Sequence, residues 1–285
     1  MLHVQRARQM LLLLGGVCTA LMLSSGCSTI QIDEEDVFLP KPSVTPESFA
    51  VDGVTLTEHY FAANDTLSLN AWHLTQPDAE ATVLFFGGNG FYLVQSLGYI
   101  QALTDLPLNV VMWDYRGYGT SDGAPSVPAF KADALAAYRF ATDSLGVAPD
   151  RLIVHGHSLG TFLASYVGTE RRVAGVVLEN PATDVQGWVR SVIPWYIRLF
   201  VSVEVDSTLR NESNQARLQA IDRPLLVVGG TEDPVTAPEM ARTLHEEAAS
   251  PKKQLVMVED GGHNELYDDP DYKTAYRTLI QHIAD

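Results

Sequence analysis

From Val83 to the C-terminus the chain repeats one pattern: a short apolar run of strand length followed, in most cases, by a segment long enough for a helix. The runs are Val83–Phe86, Val110–Trp113, Leu152–Val154, Val176–Leu178, Leu225–Val228 and Leu255–Val258. They are continuously apolar rather than alternating, so each is expected to be a strand buried on both faces. The helix-length segments are Leu93–Leu103, Pro128–Leu145, Leu159–Glu170 and Pro238–Ala248, with a last helix at Tyr272–Ile283. Strands joined by helical crossovers run parallel, because a hairpin turn can only reverse the chain. The fold class is therefore α/β: a mostly parallel sheet covered by helices on both faces, with functional groups at the carboxyl ends of its strands. Upstream, the alternating run from Val51 to Tyr60, the turn at Asn64-Asp65 and the run from Leu67 to His73 predict an antiparallel hairpin, which brings the sheet to eight strands. The connection from Asn180 to Arg223 is too long for an ordinary crossover and holds its own apolar cluster, including Trp188, Trp195 and Phe200. A short helical cap inserted at about 181–223 is expected there, within one domain spanning 51–285.

The 285 residues are 46% hydrophobic, enough to bury one large core. A formal charge of −16 leaves no basic surface for phosphate backbones, which sets nucleic-acid binding aside. The N-terminus reads differently from the body. Arg6 and Arg8 precede an uncharged stretch from Met10 to Cys27, the pattern of a signal peptide. The stretch ends in Leu23-Ser24-Ser25-Gly26-Cys27-Ser28, which resembles the lipobox of bacterial lipoproteins, and this resemblance implies lipid attachment at Cys27 after removal of the preceding residues. The only other cysteine, Cys18, lies inside the apolar stretch, so the mature chain would carry no disulfide, as an oxidising compartment permits. The expected location is extracytoplasmic and membrane-anchored, at the outer membrane or the periplasmic face of a bacterial envelope. An uncleaved membrane anchor and simple secretion are the alternatives. Residues 28–50, acidic and then proline-bearing, read as a tether.

Chemistry is concentrated at three strand ends. Gly156-His157-Ser158-Leu159-Gly160 fits Gly-x-Ser-x-Gly, with a strand before it and a helix after it. A sharp strand-to-helix turn needs glycines where side chains would clash, and it lifts the serine hydroxyl clear beside the helix N-terminus. Serine is a weak nucleophile at neutral pH and requires a base held in one tautomer by an acid. The loop after Leu225–Val228 carries Asp233, and the loop after Leu255–Val258 carries His263. Glu232 is the neighbouring rival for the acid, and Asp184 and Asp260 are further loop carboxylates; motif context favours Asp233. His155, at a strand position, reads as a core histidine. An oxyanion needs fixed backbone N–H donors. The amide of Leu159 and that of Asn89, in Phe86-Gly87-Gly88-Asn89-Gly90, are the candidates.

These passages together resemble the α/β-hydrolase superfamily, and within it the serine hydrolases of the Bem46-like group. Gly87-Gly88-Asn89 is similar to that group's His-Gly-Asn oxyanion loop, with Gly87 where many relatives have histidine. Asp114-Tyr115-Arg116-Gly117-Tyr118-Gly119-Thr120-Ser121 resembles its Asp-Tyr-Arg-Gly-x-Gly-x-Ser loop, and Asp233-Pro234-Val235 its acid loop. The resemblance implies that Asp114 and Arg116 are structural. It also implies hydrolysis of carboxylic ester or thioester bonds through an acyl-enzyme on Ser158, with Asp233 and His263 completing the triad. This chemistry requires no cofactor and no metal, and its partner is a small-molecule or lipid acyl ester. A serine peptidase or amidase on the same fold, and a non-catalytic membrane-tethered binding scaffold, are the competing readings.

Overall fold

The computed structural model describes residues 28–34, 51–63, 66–193 and 201–284. The signal-peptide segment, Cys27, and most of the segment read as a tether lie outside the described residues.

The eight-stranded sheet expected from the sequence is present. Strands β2 (Thr55–Ala62) and β3 (Ser68–Thr75) form the antiparallel hairpin, paired from Thr55 opposite Thr75 to Ala62 opposite Ser68. They are followed by β4 (Ala81–Phe86), β5 (Leu108–Trp113), β6 (Leu152–His157), β7 (Gly175–Glu179), β9 (Leu225–Gly230) and β10 (Lys253–Val258), which run parallel to one another. The spatial order of the sheet is β10-β9-β7-β6-β4-β5-β3-β2, with β3 antiparallel to β5. The crossovers carry α1 (Leu97–Thr104), α2 (Val127–Arg139), α3 (Gly160–Glu170) and α7 (Pro238–Glu247), and α8 (Pro270–Ala284) closes the chain. Alternate residues of each central strand feed opposite layers, as the two-residue period of a strand dictates. Leu84, Phe86, Val154, Leu178 and Val227 pack beneath α2, α3 and α7, while Val83, Phe85, Ile153, Val177 and Leu226 pack beneath α1 and α8. Each large apolar side chain fully buried in this way contributes about 1.5–3 kcal/mol.

Three local readings change. Strand β10 is only half-buried along most of its length, because it is the edge of the sheet rather than an interior strand. The long connection contains α4 (Val185–Val192), α5 (Ser207–Arg210) and α6 (Asn214–Leu218), but also a strand, β8 (Val201–Val205). Strand β8 pairs in parallel with β1 (Ser28–Ile32), so the first residues of the segment read as a tether are docked on the cap. The backbone N–H of Asp206 donates to Ile32 O at 3.1 Å, and the Glu34 carboxylate accepts from Val127 N at 3.0 Å and from the Thr208 hydroxyl at 2.8 Å.

Candidate active site

Ser158 sits between β6 and α3 with φ of 52°, in the left-handed region that costs a non-glycine residue about 1–3 kcal/mol. Close packing holds it there. A side chain at Gly160 would collide with Phe86 O and come within 2.7 Å of Gly87 O, and one at Gly156 would run into the backbone of Gly160 and Thr161. The two glycines therefore let the start of α3 press against the end of β4. Ser158 N donates to Glu179 O at 2.9 Å, tying the turn to β7.

Residues from three strand ends converge on the serine hydroxyl. His263 Nε2 lies 2.9 Å from Ser158 Oγ, and His263 Nδ1 lies 2.7 Å from Asp233 Oδ2. The Asp233 carboxylate is almost fully buried but well supplied with donors: Val235 N at 2.7 Å and Thr236 N at 3.0 Å on Oδ1, and the Thr236 hydroxyl at 2.6 Å on Oδ2. Burial pushes its pKa up, but the His263 interaction and these hydrogen bonds outweigh burial and hold it below the usual carboxylate range. Asp233 is thus ionised at neutral pH and accepts from Nδ1–H, which leaves Nε2 as the acceptor facing the serine. The rival carboxylates lie elsewhere. Glu232 and Asp260 are exposed, and Asp184 caps α4 by accepting from Gly187 N at 2.7 Å.

Of the two residues expected in an oxyanion pocket, Leu159 directly follows the serine and Asn89 follows Gly88, which abuts it. Leu159 is the residue before α3, where the first helical amides lack partners one turn back. Gly88 abuts the turn so closely that a β-carbon there would stand 3.3 Å from Ser158 Cβ, and the exposed Asn89 follows it. A side chain at position 87 would run into the Phe91 ring, so Phe91 fills the space that histidine would need. The loop is held from below instead. The Tyr115 hydroxyl donates to Gly87 O at 2.8 Å, the Tyr118 hydroxyl donates to Asn89 Oδ1 at 3.2 Å, and Asp114 Oδ1 accepts from Leu93 N at 2.9 Å. Arg116 is paired with Asp133 on α2. The 114–121 loop is accordingly a floor under residues 87–93, as expected, and Tyr115 and Tyr118 are the members that sequence reasoning missed. Burial raises the Asp114 carboxyl to about 6 against the pull of its backbone donors.

His155 is fully buried against Glu179, Nε2 to Oε2 at 3.1 Å, and Tyr276, and takes the core position expected of it. Trp188 on α4 donates from Nε1 to Val235 O at 3.0 Å, so the cap rests on the acid loop.

The sequence matches a family model described as "Serine aminopeptidase, S33" over residues 77–215 and 205–271. It is 30% identical over 225 residues to an uncharacterized protein of Mycobacterium tuberculosis, Rv2307c, covering 77% of each chain. It is 31% identical over 193 residues to alpha/beta hydrolase domain-containing protein 17B of Xenopus tropicalis, covering 67% of this chain and 62% of that one. Among solved structures, the Pyrococcus furiosus esterase Pf2001 superposes with a TM-score of 0.66 at 18% identity, over 84% of this chain and 98% of that one. The sheet order, the strand-end placement of Ser158, Asp233 and His263, and the family match over most of the domain lead to one conclusion: the chain belongs to the α/β-hydrolase superfamily, in the serine aminopeptidase S33 family.

Proposed function

We propose that the protein is a serine hydrolase that cleaves carboxylic ester or thioester bonds with Ser158 as nucleophile, His263 as general base and Asp233 as the orienting acid. The observation that carries this reading is the unbroken chain of two hydrogen bonds from Asp233 through His263 to Ser158, at 2.7 and 2.9 Å. In the reaction, Ser158 Oγ attacks the carbonyl carbon while its proton passes to His263 Nε2. The imidazolium so formed is stabilised by the ionised Asp233. The oxyanion is bound by the amides of Leu159 and Asn89, each such donor being worth about 2.7–4 kcal/mol in other hydrolases. Collapse expels the alcohol or thiol, which takes the proton from His263. Water then gives a proton to His263 and attacks the acyl group, releasing the acid and restoring Ser158. An apolar acyl group is favoured by the aromatic residues of the cap.

The family description favours amide bonds as a second reading, since the same acyl-enzyme serves an aminopeptidase. Turnover of p-nitrophenyl esters of increasing acyl length and of aminoacyl p-nitroanilides by the detergent-solubilised full chain separates the two. Ester turnover that vanishes in Ser158→Ala is the expected result; anilide turnover exceeding ester turnover would replace the first reading by the second. If neither substrate turns over and a serine-reactive fluorophosphonate leaves Ser158 unlabelled, a binding scaffold is the better account.

We further propose that Cys27 is lipidated and holds the domain on a bacterial membrane from the extracytoplasmic side. Support comes from the lipobox-like sequence, and a diacylglyceryl anchor with an added acyl chain would suffice for stable attachment at about 0.8 kcal/mol per buried methylene. Labelled palmitate should enter the wild-type chain and be absent from Cys27→Ala; equal incorporation in both would overturn the anchor.

A further inference from the structure

His263 stands on a loop whose first residues are tied to the acid loop: Glu232 N donates to Gly261 O at 2.9 Å, and Asp260 N donates to the Thr231 hydroxyl at 2.9 Å. The loop follows the edge strand β10, and Gly261 and Gly262 precede the histidine, giving the backbone more freedom than any other pair of residues would. The catalytic reading nevertheless requires its imidazole to stay within hydrogen-bond reach of Ser158. At the histidine itself the backbone is restrained by a pair of side-chain contacts on its own oxygen. His157 Nε2 lies 2.8 Å from that oxygen, and Asn180 Nδ2 donates to it at 2.9 Å and to Gly262 O at 3.1 Å. A carbonyl has two lone pairs, so both acceptor sites of His263 O are engaged.

Each donor is itself fixed. His157 is buried, and burial, the largest influence on it, holds its pKa below the ordinary imidazole value, so the ring is neutral and carries its proton on the nitrogen that faces the carbonyl. Its ring stands 5.2 Å from that of His263 and 5.7 Å from that of Tyr99, and only glycine at position 88 leaves room for it, since a β-carbon there would lie 2.8 Å from His157 Nδ1. Asn180, immediately after β7, has φ of 47°, a left-handed conformation that asparagine tolerates better than most residues. Its Oδ1 accepts from Gly230 N at 2.9 Å, at the start of the loop that carries Asp233. Its backbone oxygen lies 3.2 Å from the Thr236 hydroxyl, the same hydroxyl that stands 2.6 Å from Asp233 Oδ2. One side chain thus spans the acid loop and the base loop, and the other links the base loop to the residue beside the nucleophile.

We propose that His157 and Asn180 are positioning residues for hydrolysis: together they clamp the backbone oxygen of His263 and so set the distance from its imidazole to Ser158. The proposal rests on the serine-hydrolase reading. Neither residue takes or gives a proton in the reaction. Their effect is on kcat, because the imidazole acts in the chemical step and not in ground-state binding.

The test compares wild type, His157→Leu, His157→Gln and Asn180→Gly as full chains. Glutamine can present an Nε2–H to the same carbonyl, and glycine keeps the left-handed backbone while removing the side chain. A misplacement near 1 Å costs on the order of 100-fold, so His157→Leu and Asn180→Gly should each lower kcat on p-nitrophenyl acetate by about 10- to 100-fold. KM should stay within about twofold, and His157→Gln should recover to within about threefold of wild type. The downfield proton resonance of His263 Nδ1–H reads the same geometry without turnover: it should be present in wild type and His157→Gln, and shifted or broadened in the other two. Wild-type kcat and an unshifted resonance in folded His157→Leu and Asn180→Gly would overturn the clamp, as would a His157→Gln as slow as His157→Leu. Failure of fluorophosphonate to label wild-type Ser158 would sink the hydrolase reading instead, with the resonance still deciding whether the clamp holds the imidazole.

Discussion

At Glu179 a carboxylate with no exposed surface accepts from the Tyr99 hydroxyl at 2.8 Å and the Tyr272 hydroxyl at 3.3 Å, and meets His155 Nε2 at 3.1 Å. Burial alone would raise its pKa, yet the hydrogen bond from His155, the electrostatic influence of the two neighbouring imidazoles and the bond from Tyr99 together bring it below the usual carboxylate value. A carboxylate depressed in the folded state binds its proton more readily when unfolded. Its stabilisation is therefore complete above the unfolded value of about 4.3 and is lost as pH falls through the folded value. Asp233, depressed in the same sense, adds to this acid sensitivity. Glu179→Gln places an amide donor among hydroxyl and imidazole donors. It is expected to lower stability near pH 7 by about 1–3 kcal/mol, the cost of an unsatisfied buried polar group, and to flatten the decline below pH 4. Urea unfolding of both proteins across that range checks it; parallel curves would show that Glu179 is not the titrating group. Ser158, Asp233 and His263 were legible in the sequence because each follows a strand of distinctive pattern and carries a side chain that chemistry needs. Glu179, Asn180 and His157 were not legible as a network, since what each hydrogen-bonds comes from strands and loops far away along the chain.

Among the elements, those built by local pattern were readable and those built by pairing were not. Strands β4, β6, β7 and β9 are buried on both faces and show it as continuous apolar runs. The apolar run in β10 looks the same, although that strand is an edge and stays half-exposed. Strand β1 gave no signal in its polar composition; it exists because β8 offers an unpaired edge alongside it. Its neighbour Glu34 also serves α2, accepting from the first helical amide, where a negative charge complements the helix dipole. Glu34→Ala should lower stability by about 1 kcal/mol through loss of this capping contact and the bond to Thr208. Thermal unfolding of the full chain measures the effect, and an unchanged midpoint would mean that the docked segment contributes nothing to the fold.

On the scale of the whole molecule the sheet is a device for convergence. Ser158 and His263 are 105 residues apart along the chain, and His263 and Asp233 30 apart, yet parallel strands bring their carboxyl ends to one rim. The sequence by itself determined that a doubly covered, mostly parallel sheet would form, how many strands it would have, and which strand-end side chains were the candidates for chemistry, because hydrophobic period, crossover length and glycine spacing are local properties of the chain. Motif context favoured Asp233 over Glu232, Asp184 and Asp260, but only the tertiary structure brings its carboxylate to His263, fills the space beside Gly87 with the Phe91 ring, and sets His157 and Asn180 against the backbone oxygen of His263. Those outcomes depend on distances between segments remote in sequence, which are fixed only when the two layers of the core close on the sheet.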